Sequence, residues 1–215
     1  MRSVGRQRIR VYRVDGGWPL DQNDPGMIAV AVFVIAFILA FCLGSIIEWF
    51  VHKELMHSVQ YMKTPHLRHA VEHHAERKAP GKYYAKADEL KEYHLFETSF
   101  MPALWILHAP LFLAAYYFFG LAAGIGVATG TGVYVIGYET LHWYMHCPDQ
   151  FIFRNTRWFR YLSEHHRLHH NKASINYNVV FPLGDLLMGT YHAHLPIDRE
   201  PEDIRLGAPE PPQRQ

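Results

Sequence analysis

Residues 27–47, MIAVAVFVIAFILAFCLGSII, run for twenty-one positions without a charge. At 1.5 Å per residue, a helix of that length crosses the roughly 30 Å hydrocarbon core of a bilayer, so the run predicts a transmembrane helix. It follows DQNDPG and exceeds the apolar stretch of a secretory signal, which makes it a retained anchor. A second run, residues 99–120, and a third, residues 121–138, meet at Gly120 with almost no loop between them. They predict a transmembrane hairpin, in which Pro102, Pro110 and the glycines of the third run are tolerated because neighbouring helices re-satisfy freed backbone groups. The alternative is three buried helices of a soluble protein, but such stretches are rarely this long and charge-free.

The expected fold is therefore an all-α integral-membrane bundle of about three to four transmembrane helices. A polar N-terminal segment, residues 1–26, precedes a membrane-embedded domain, residues 27–195. Residues 196–215, charged and proline-rich, form a tail expected to end in disorder. The chain of 215 residues suits one domain, and its net charge of +1 gives no reason to expect a nucleic-acid partner. The two cysteines, Cys42 in an apolar run and Cys147 beside a histidine pair, offer neither a disulfide framework nor a cysteine-type zinc site. A metal site in this chain is built from nitrogen and oxygen.

Nitrogen is plentiful, because the chain has sixteen histidines. Ten of them fall into four groups: His52 and His57 in HKELMH; His69, His73 and His74 in HAVEHH; His142 and His146 in HWYMH; and His166, His169 and His170 in HHRLHH. On an α-helix, residues three or four apart share a face. His142 with His146, His69 with His73, and His166 with both His169 and His170 are thus expected to converge. His74 is turned by about 100° from His73 and faces either a second metal or a different side. His52 and His57, five apart, fit one face only if the helix unwinds where it leaves the membrane.

One span before the first two groups and two more before the last two place all four on the same side of the membrane. Lys53, Lys63, Arg68, Arg77, Lys78, Lys82, Lys86, Lys91, Arg154, Arg157, Arg160, Arg167 and Lys172 share that side, which by the positive-inside tendency is the cytoplasm. Arg2, Arg6, Arg8, Arg10 and Arg13 argue the other way, but they are fewer. FIFRNTRWFRYL, residues 151–162, mixes arginines at spacing three with aromatic residues. It reads as a helix at the headgroup interface or as an ordinary amphipathic surface helix.

A structural zinc needs four ligands, so ten histidines fit two ions. Imidazole suits zinc, copper, iron and nickel. Two iron ions beside a membrane fit dioxygen activation and attack on an unactivated C–H bond of a lipid. Zinc hydrolysis, with His142, His146 and Glu139 as a local site, is a second reading. A non-catalytic protein that stores or moves metal is a third, although only His108 lies deep within a predicted span. Glu48, four before His52, and Glu139, three before His142, are placed to orient ligand rings or to bind metal. Glu72 and Glu164 are similar candidates, with a solvated charge at a helix end as the alternative. His192 and His194 are read as surface residues or as supports for ligands.

The series HxxxxH, HxxxHH, HxxxH and HxxHH, with membrane spans between the second and third boxes, resembles the fatty acid hydroxylase and sterol desaturase superfamily. NYNVVFPLGDLLMGTY, residues 176–191, resembles that family's closing motif, with Asp185 before a Gly-Thr turn. The resemblance covers roughly residues 48–191. It implies that the ten histidines are the metal ligands, with Glu48, Glu139, Glu164, Asp185, His66 and His165 as possible supports. It also implies a centre of two iron ions, zinc being possible as purified, with dioxygen as co-substrate. The family hydroxylates or desaturates lipids, and the third box and closing segment favour a fatty-acyl or sterol-type substrate over a carotenoid.

Three features depart from the family pattern. The second box has one residue more than the usual HxxHH, which makes His66 a substitute for His69. One span precedes the first box where two are usual, and His165 lies outside the fourth box's pattern. The sequence holds no dinucleotide fingerprint, iron–sulfur pattern or haem domain. Electrons are therefore expected from a separate donor of the ferredoxin, cytochrome b5 or reductase type. The surface at residues 151–160 is a candidate for meeting either that donor or lipid headgroups.

Overall fold

The computed structural model describes residues 24–78, 82–84, 105–106 and 108–193. Most of the polar N-terminal segment, residues 99–104 and 107 of the second apolar run, Lys86, Lys91, His194 and the tail from residue 196 lie outside the described residues. Among those described, all regular structure is helical.

Helix α1, Pro25–Phe50, begins where Asp24 accepts a hydrogen bond from the Gly26 N–H at 2.8 Å and proline supplies the first helical residue. It continues without a break into a π-turn, Val51–Met56. A short α2, Lys63–His66, leads into a second π-turn, Leu67–His73, and then α3, His74–Lys78. Helix α4, Ala109–Phe119, and α5, Leu121–His146, are separated by Gly120 alone, which adopts φ 86°. That left-handed backbone is open to glycine at little cost and turns the chain back on itself. Gly124 then packs against Tyr116 of α4, which makes the pair the expected hairpin. Helix α6, Arg157–Asn171, starts at a Thr156 cap, and α7, Leu183–Met188, follows the closing segment.

Helices α1 and α5 are each long and apolar enough to cross a membrane. Val30, Ile35 and Leu39 of α1 are exposed, and a helix apolar on all sides is one that lipid surrounds. Of the second predicted span, helix is described at residues 105–106 and over the eleven residues of α4. The third extends further than expected, because Glu139, His142 and His146 continue the same helix as α5.

Helices α1 and α5 run parallel. A Cβ at Gly126 would lie 2.6 Å from the Phe33 carbonyl oxygen, one at Gly130 would lie 2.5 Å from that of Phe37, and one at Gly44 would lie 2.6 Å from the Tyr134 ring. The pairs advance together along both helices, and the glycines let the backbones touch as small residues do in membrane interfaces. Because of this parallel packing, both helices end at the same place, with His52 past the end of α1 and His146 at the end of α5. The apolar core lies beside that point, where Tyr134, Tyr138, Leu141 and Met145 of α5 meet Phe159 and Leu162 of α6 and Val179 and Val180 of the closing segment.

Candidate metal centre

The ten histidines of the four boxes gather into two groups of five. His52, His57, His69, His74 and His169 form one; His73, His142, His146, His166 and His170 form the other. Within each group one ring nitrogen per residue lies within 4.8 Å of all the others. The groups are contiguous, since His74 of the first stacks on His170 of the second with ring centroids 4.2 Å apart.

The π-turns explain how the first two boxes are divided. The His57 N–H donates to the His52 carbonyl oxygen at 3.0 Å, and the His74 N–H donates to the His69 carbonyl oxygen. These are i→i+5 bonds, which bring residues five apart over one another. His52 with His57 and His69 with His74 therefore face the first centre. The unwinding expected near His52 takes this form. The pairing of His69 with His73 does not hold: the π-turn gives His69 to His74, and His73 faces the second centre. His166, His169 and His170 also do not share a centre. His166 and His170, four apart, serve the second, while His169 reaches the first. His69 sits in the first group and His66 sits in neither, so the extra residue of the second box is absorbed by the π-turn.

Hydrogen bonds fix which nitrogen of several rings carries a proton. A carbonyl oxygen can only accept, so Nδ1 is the protonated nitrogen of His52 toward Tyr177, of His169 toward Ile175 at 2.7 Å, and of His146 toward Tyr83 at 2.9 Å. Their Nε2 atoms then carry bare lone pairs. These face other Nε2 atoms: His52 toward His69 at 2.8 Å, His169 toward His57 at 3.0 Å, and His146 toward His166 at 3.2 Å. Among the described residues, Nε2 of His73 and of His142 is buried with no hydrogen-bond partner. Lone pairs and unpaired nitrogens converging in a water-poor interior are costly unless a cation receives them, so the donor set fits a metal ion at each centre.

Protonation is resisted throughout. Burial, followed by the repulsion of neighbouring imidazoles, pushes His69, His73, His74, His166, His169 and His170 well below the usual histidine range. His57, less deeply placed, is lowered to about 4 by burial and then by His66 and Lys78. At neutral pH these rings are uncharged, which is the form that binds metal.

The carboxylates do not take the places the sequence suggests. Glu48 is buried but accepts from Tyr134 Oη, from Asn178 Nδ2 at 3.0 Å and from the Val179 N–H at 2.6 Å, tying α1 to α5 and to the closing segment. Among the described residues, Glu139 makes no hydrogen bond to any of the ten rings. Glu164 is exposed and forms two hydrogen bonds with Arg167, at 2.7 and 2.8 Å. Glu72 lies exposed on the second π-turn. Asp185 is fully buried and acts at one remove. It accepts from His165 Nε2 at 3.0 Å, from Thr190 Oγ1 at 2.6 Å, and from the Tyr177 and Asn178 N–H groups at 2.8 Å. It thereby holds the peptide whose Tyr177 carbonyl takes the His52 proton, and it engages His165 away from both centres.

Two asparagines complete the segment. Asn176, at φ 55°, donates to the His165 and His192 carbonyl oxygens and accepts from the His192 N–H. Asn178 donates to the Ser45 carbonyl oxygen at 2.8 Å and accepts from the Asp185 N–H at 2.8 Å. The groups that hold the rings are thus mainly backbone carbonyls of residues 83, 175 and 177, which no side-chain pattern announces.

The family model described as fatty acid hydroxylase matches residues 37–190. No curated protein and no solved structure gives a significant match. The matched stretch contains all ten histidines of the two groups, and the closing segment up to the Gly-Thr turn.

Proposed function

The chain belongs to the fatty acid hydroxylase family, and from that premise we propose that it is a membrane-bound di-iron oxygenase acting on a lipid. It uses dioxygen and external electrons to hydroxylate or desaturate a fatty-acyl or sterol-type substrate. The observation that carries this reading is the pair of contiguous five-imidazole groups at the shared end of two apolar helices. Five nitrogens per group exceed the four of a closed structural zinc site, and imidazole is a good ligand for iron. Zinc in excess can occupy the same nitrogens during purification.

His52, His57, His69, His74 and His169 would hold one ion, and His73, His142, His146, His166 and His170 the other. When bound, the iron pair supplies the activation of dioxygen that attack on an unactivated C–H bond requires. The chain's own contribution is positional. The carbonyls of Tyr177, Ile175 and Tyr83 keep the protons of His52, His169 and His146 on Nδ1, so that Nε2 stays available. Burial of the rings keeps them neutral and limits water. The parallel ends of α1 and α5 set the centre beside the bilayer, where a lipid chain arrives without crossing water. The centre lies on the cytoplasmic side, in keeping with the basic residues around it and with a source of reductant. Electrons come from a separate carrier of the ferredoxin, cytochrome b5 or reductase type.

Lipid extracts of cells supplied with ¹⁸O₂, compared with and without this protein, test the reading. A lipid that gains label, or that loses two hydrogens only when oxygen is present, is expected, and His166→Ala should abolish it. Product formation without oxygen would instead favour metal-assisted hydrolysis. Purified protein with variable, rapidly exchanging metal and no lipid product would favour metal handling.

A further inference from the structure

The closing segment returns to α1 well below the end of that helix. The rings of Phe181 and Phe41 have centroids 6.1 Å apart. Phe41 precedes Ile47, the last residue of the charge-free run, by six positions, so Phe181 reaches about 9 Å inward from that end at 1.5 Å per residue. Just after it, α7 is pressed against α1: a Cβ at Gly184 would lie 2.7 Å from the Ser45 carbonyl oxygen and 2.7 Å from Trp49 Cβ. Residues 181–188 thus stand beside the part of α1 that is apolar enough to lie in a bilayer.

The outer side of this stretch carries no charge. Leu186, Leu187 and Met188 are exposed by 57%, 60% and 47%, and Phe181 is exposed beside them, while Asp185, the one charge of the closing segment, is fully buried. Apolar side chains clustered in this way mark a contact surface. The backbone behind them is supplied with partners from within the protein. Ser45 Oγ donates to the Phe181 carbonyl oxygen and accepts from the Gly184 N–H at 3.0 Å; the Val179 N–H donates to Glu48 at 2.6 Å, and the Asp185 N–H to Asn178 Oδ1 at 2.8 Å. Non-helical backbone is tolerated at membrane depth where protein groups replace the water it would otherwise bind. Nearer the histidines the chemistry changes: Trp49 donates its indole N–H to Thr190 Oγ1 at 2.8 Å, Lys53 Nζ stands 4.7 Å from the centre of the Trp49 ring, and the Tyr161 hydroxyl bonds that of Tyr191 at 3.2 Å. Tryptophan and tyrosine with a cation above them suit the headgroup level.

We propose that α7 and Phe181 are seated in the bilayer leaflet next to the metal centres, with acyl chains of the bilayer against their exposed side, so that the closing segment anchors the protein in addition to its spanning helices. Interfacial helices bury their apolar side roughly 5–10 Å below the headgroups, the depth that Phe181 reaches. The occupant is lipid because α1 exposes Ile38, Leu43 and Phe50 over the same stretch, so the lipid that surrounds α1 is already beside α7. The anchored helix carries Asp185, which accepts from the Tyr177 N–H at 2.8 Å, and the Tyr177 carbonyl holds the His52 ring. The bilayer thereby braces the support of the first histidine group. This seating depends on α1 crossing the bilayer and not on any lipid being oxidised.

The test uses p-benzoylphenylalanine, which bonds to nearby C–H groups on irradiation, placed singly at Ile35, Glu164 and Leu187 of the full chain. Each protein is reconstituted in liposomes of phosphatidylcholine and phosphatidylglycerol, and its metal content is measured. Lipid adducts, read by mass spectrometry, are expected at Ile35 and Leu187 and absent at Glu164, which is exposed on α6. Should the probe at Leu187 lower the metal content, Met188 takes its place. Adducts at Ile35 with none at Leu187, adducts joining Leu187 to a second copy of the chain, or lipid adducts as abundant at Glu164 as at Leu187 overturn the anchor. No lipid adduct at Ile35 overturns the span of α1 itself, and with it the depth from which the anchor is measured.

Discussion

The two histidine groups have equal numbers of rings but are built differently. The second draws His142 with His146 and His166 with His170 from regular α-helix, where a spacing of four brings rings together without further device. The first depends on two π-turns, which pair His52 with His57 and His69 with His74. The first also leans on the closing segment and the residue before it, since Tyr177 and Ile175 hold two of its rings, while among the described residues Tyr83 is the one backbone holder of the second. Regular helix tolerates small disturbance around it, whereas a π-turn depends on one extra residue and on what clamps it.

Deleting that extra residue is the most severe way to break the contrast. Removal of Glu54 turns the π-turn into regular helix and rotates every later residue by one place, so the chain that carries His69 and His74 should miss the first centre, and bound metal should fall from about two ions per chain to about one, with activity lost beyond detection. His146→Ala should remove the other ion instead, and metal analysis of both proteins distinguishes them. Asp185→Asn comes next. It loosens the peptide that carries the Tyr177 carbonyl and should weaken the first ion by about 10–100-fold while leaving the second nearly unchanged, as read by chelator competition.

Acid sharpens the same comparison more gently. The buried histidines outside the spans titrate lower in the folded chain than the usual 6.5, so between those values the unfolded chain binds more protons. Stability of the metal-free protein is therefore full above about pH 6.5 and falls as pH drops toward the folded values, by up to about 1.4 kcal/mol per pH unit for each such ring. Thermal unfolding in detergent between pH 7.5 and 5 checks the sign. His57, lowered only to about 4, is the first of these rings to charge, so metal release on acidification should be accompanied by its protonation. Glu164→Ala should do least: its ion pair with Arg167 is exposed, and metal content and stability should stay within about 0.5 kcal/mol of wild type.

Much of this was readable from the chain, and what was not has a physical reason. The charge-free runs mark the long helices, and the ten box histidines are the ten that assemble. The division of the first two boxes was hidden because side-chain spacing was read at the α-helical period, and a π-turn shifts every later residue by one place; that of the fourth was hidden because one helix lies between both centres, with His169 reaching the first. The spacing of five in HKELMH was the available sign, and the extra residue in HAVEHH was a second one. Glu48 and Glu139 were expected against the rings because carboxylates are visible in a sequence, whereas carbonyls belong to every residue and signal nothing. Glu48 could find its true partners only after residues 178 and 179 had returned to α1, a contact made across 130 residues of chain.

Gly120 leaves a single non-helical residue between α4 and α5. Two helices so joined cannot enter a bilayer one after the other on separate terms, since the first has no free length on which to wait for the second. They go in as one folded unit. His142 and His146 are thus tied through α5 and one residue to the direction in which α4 runs, and the two helices keep one relative orientation whatever the rest of the chain does.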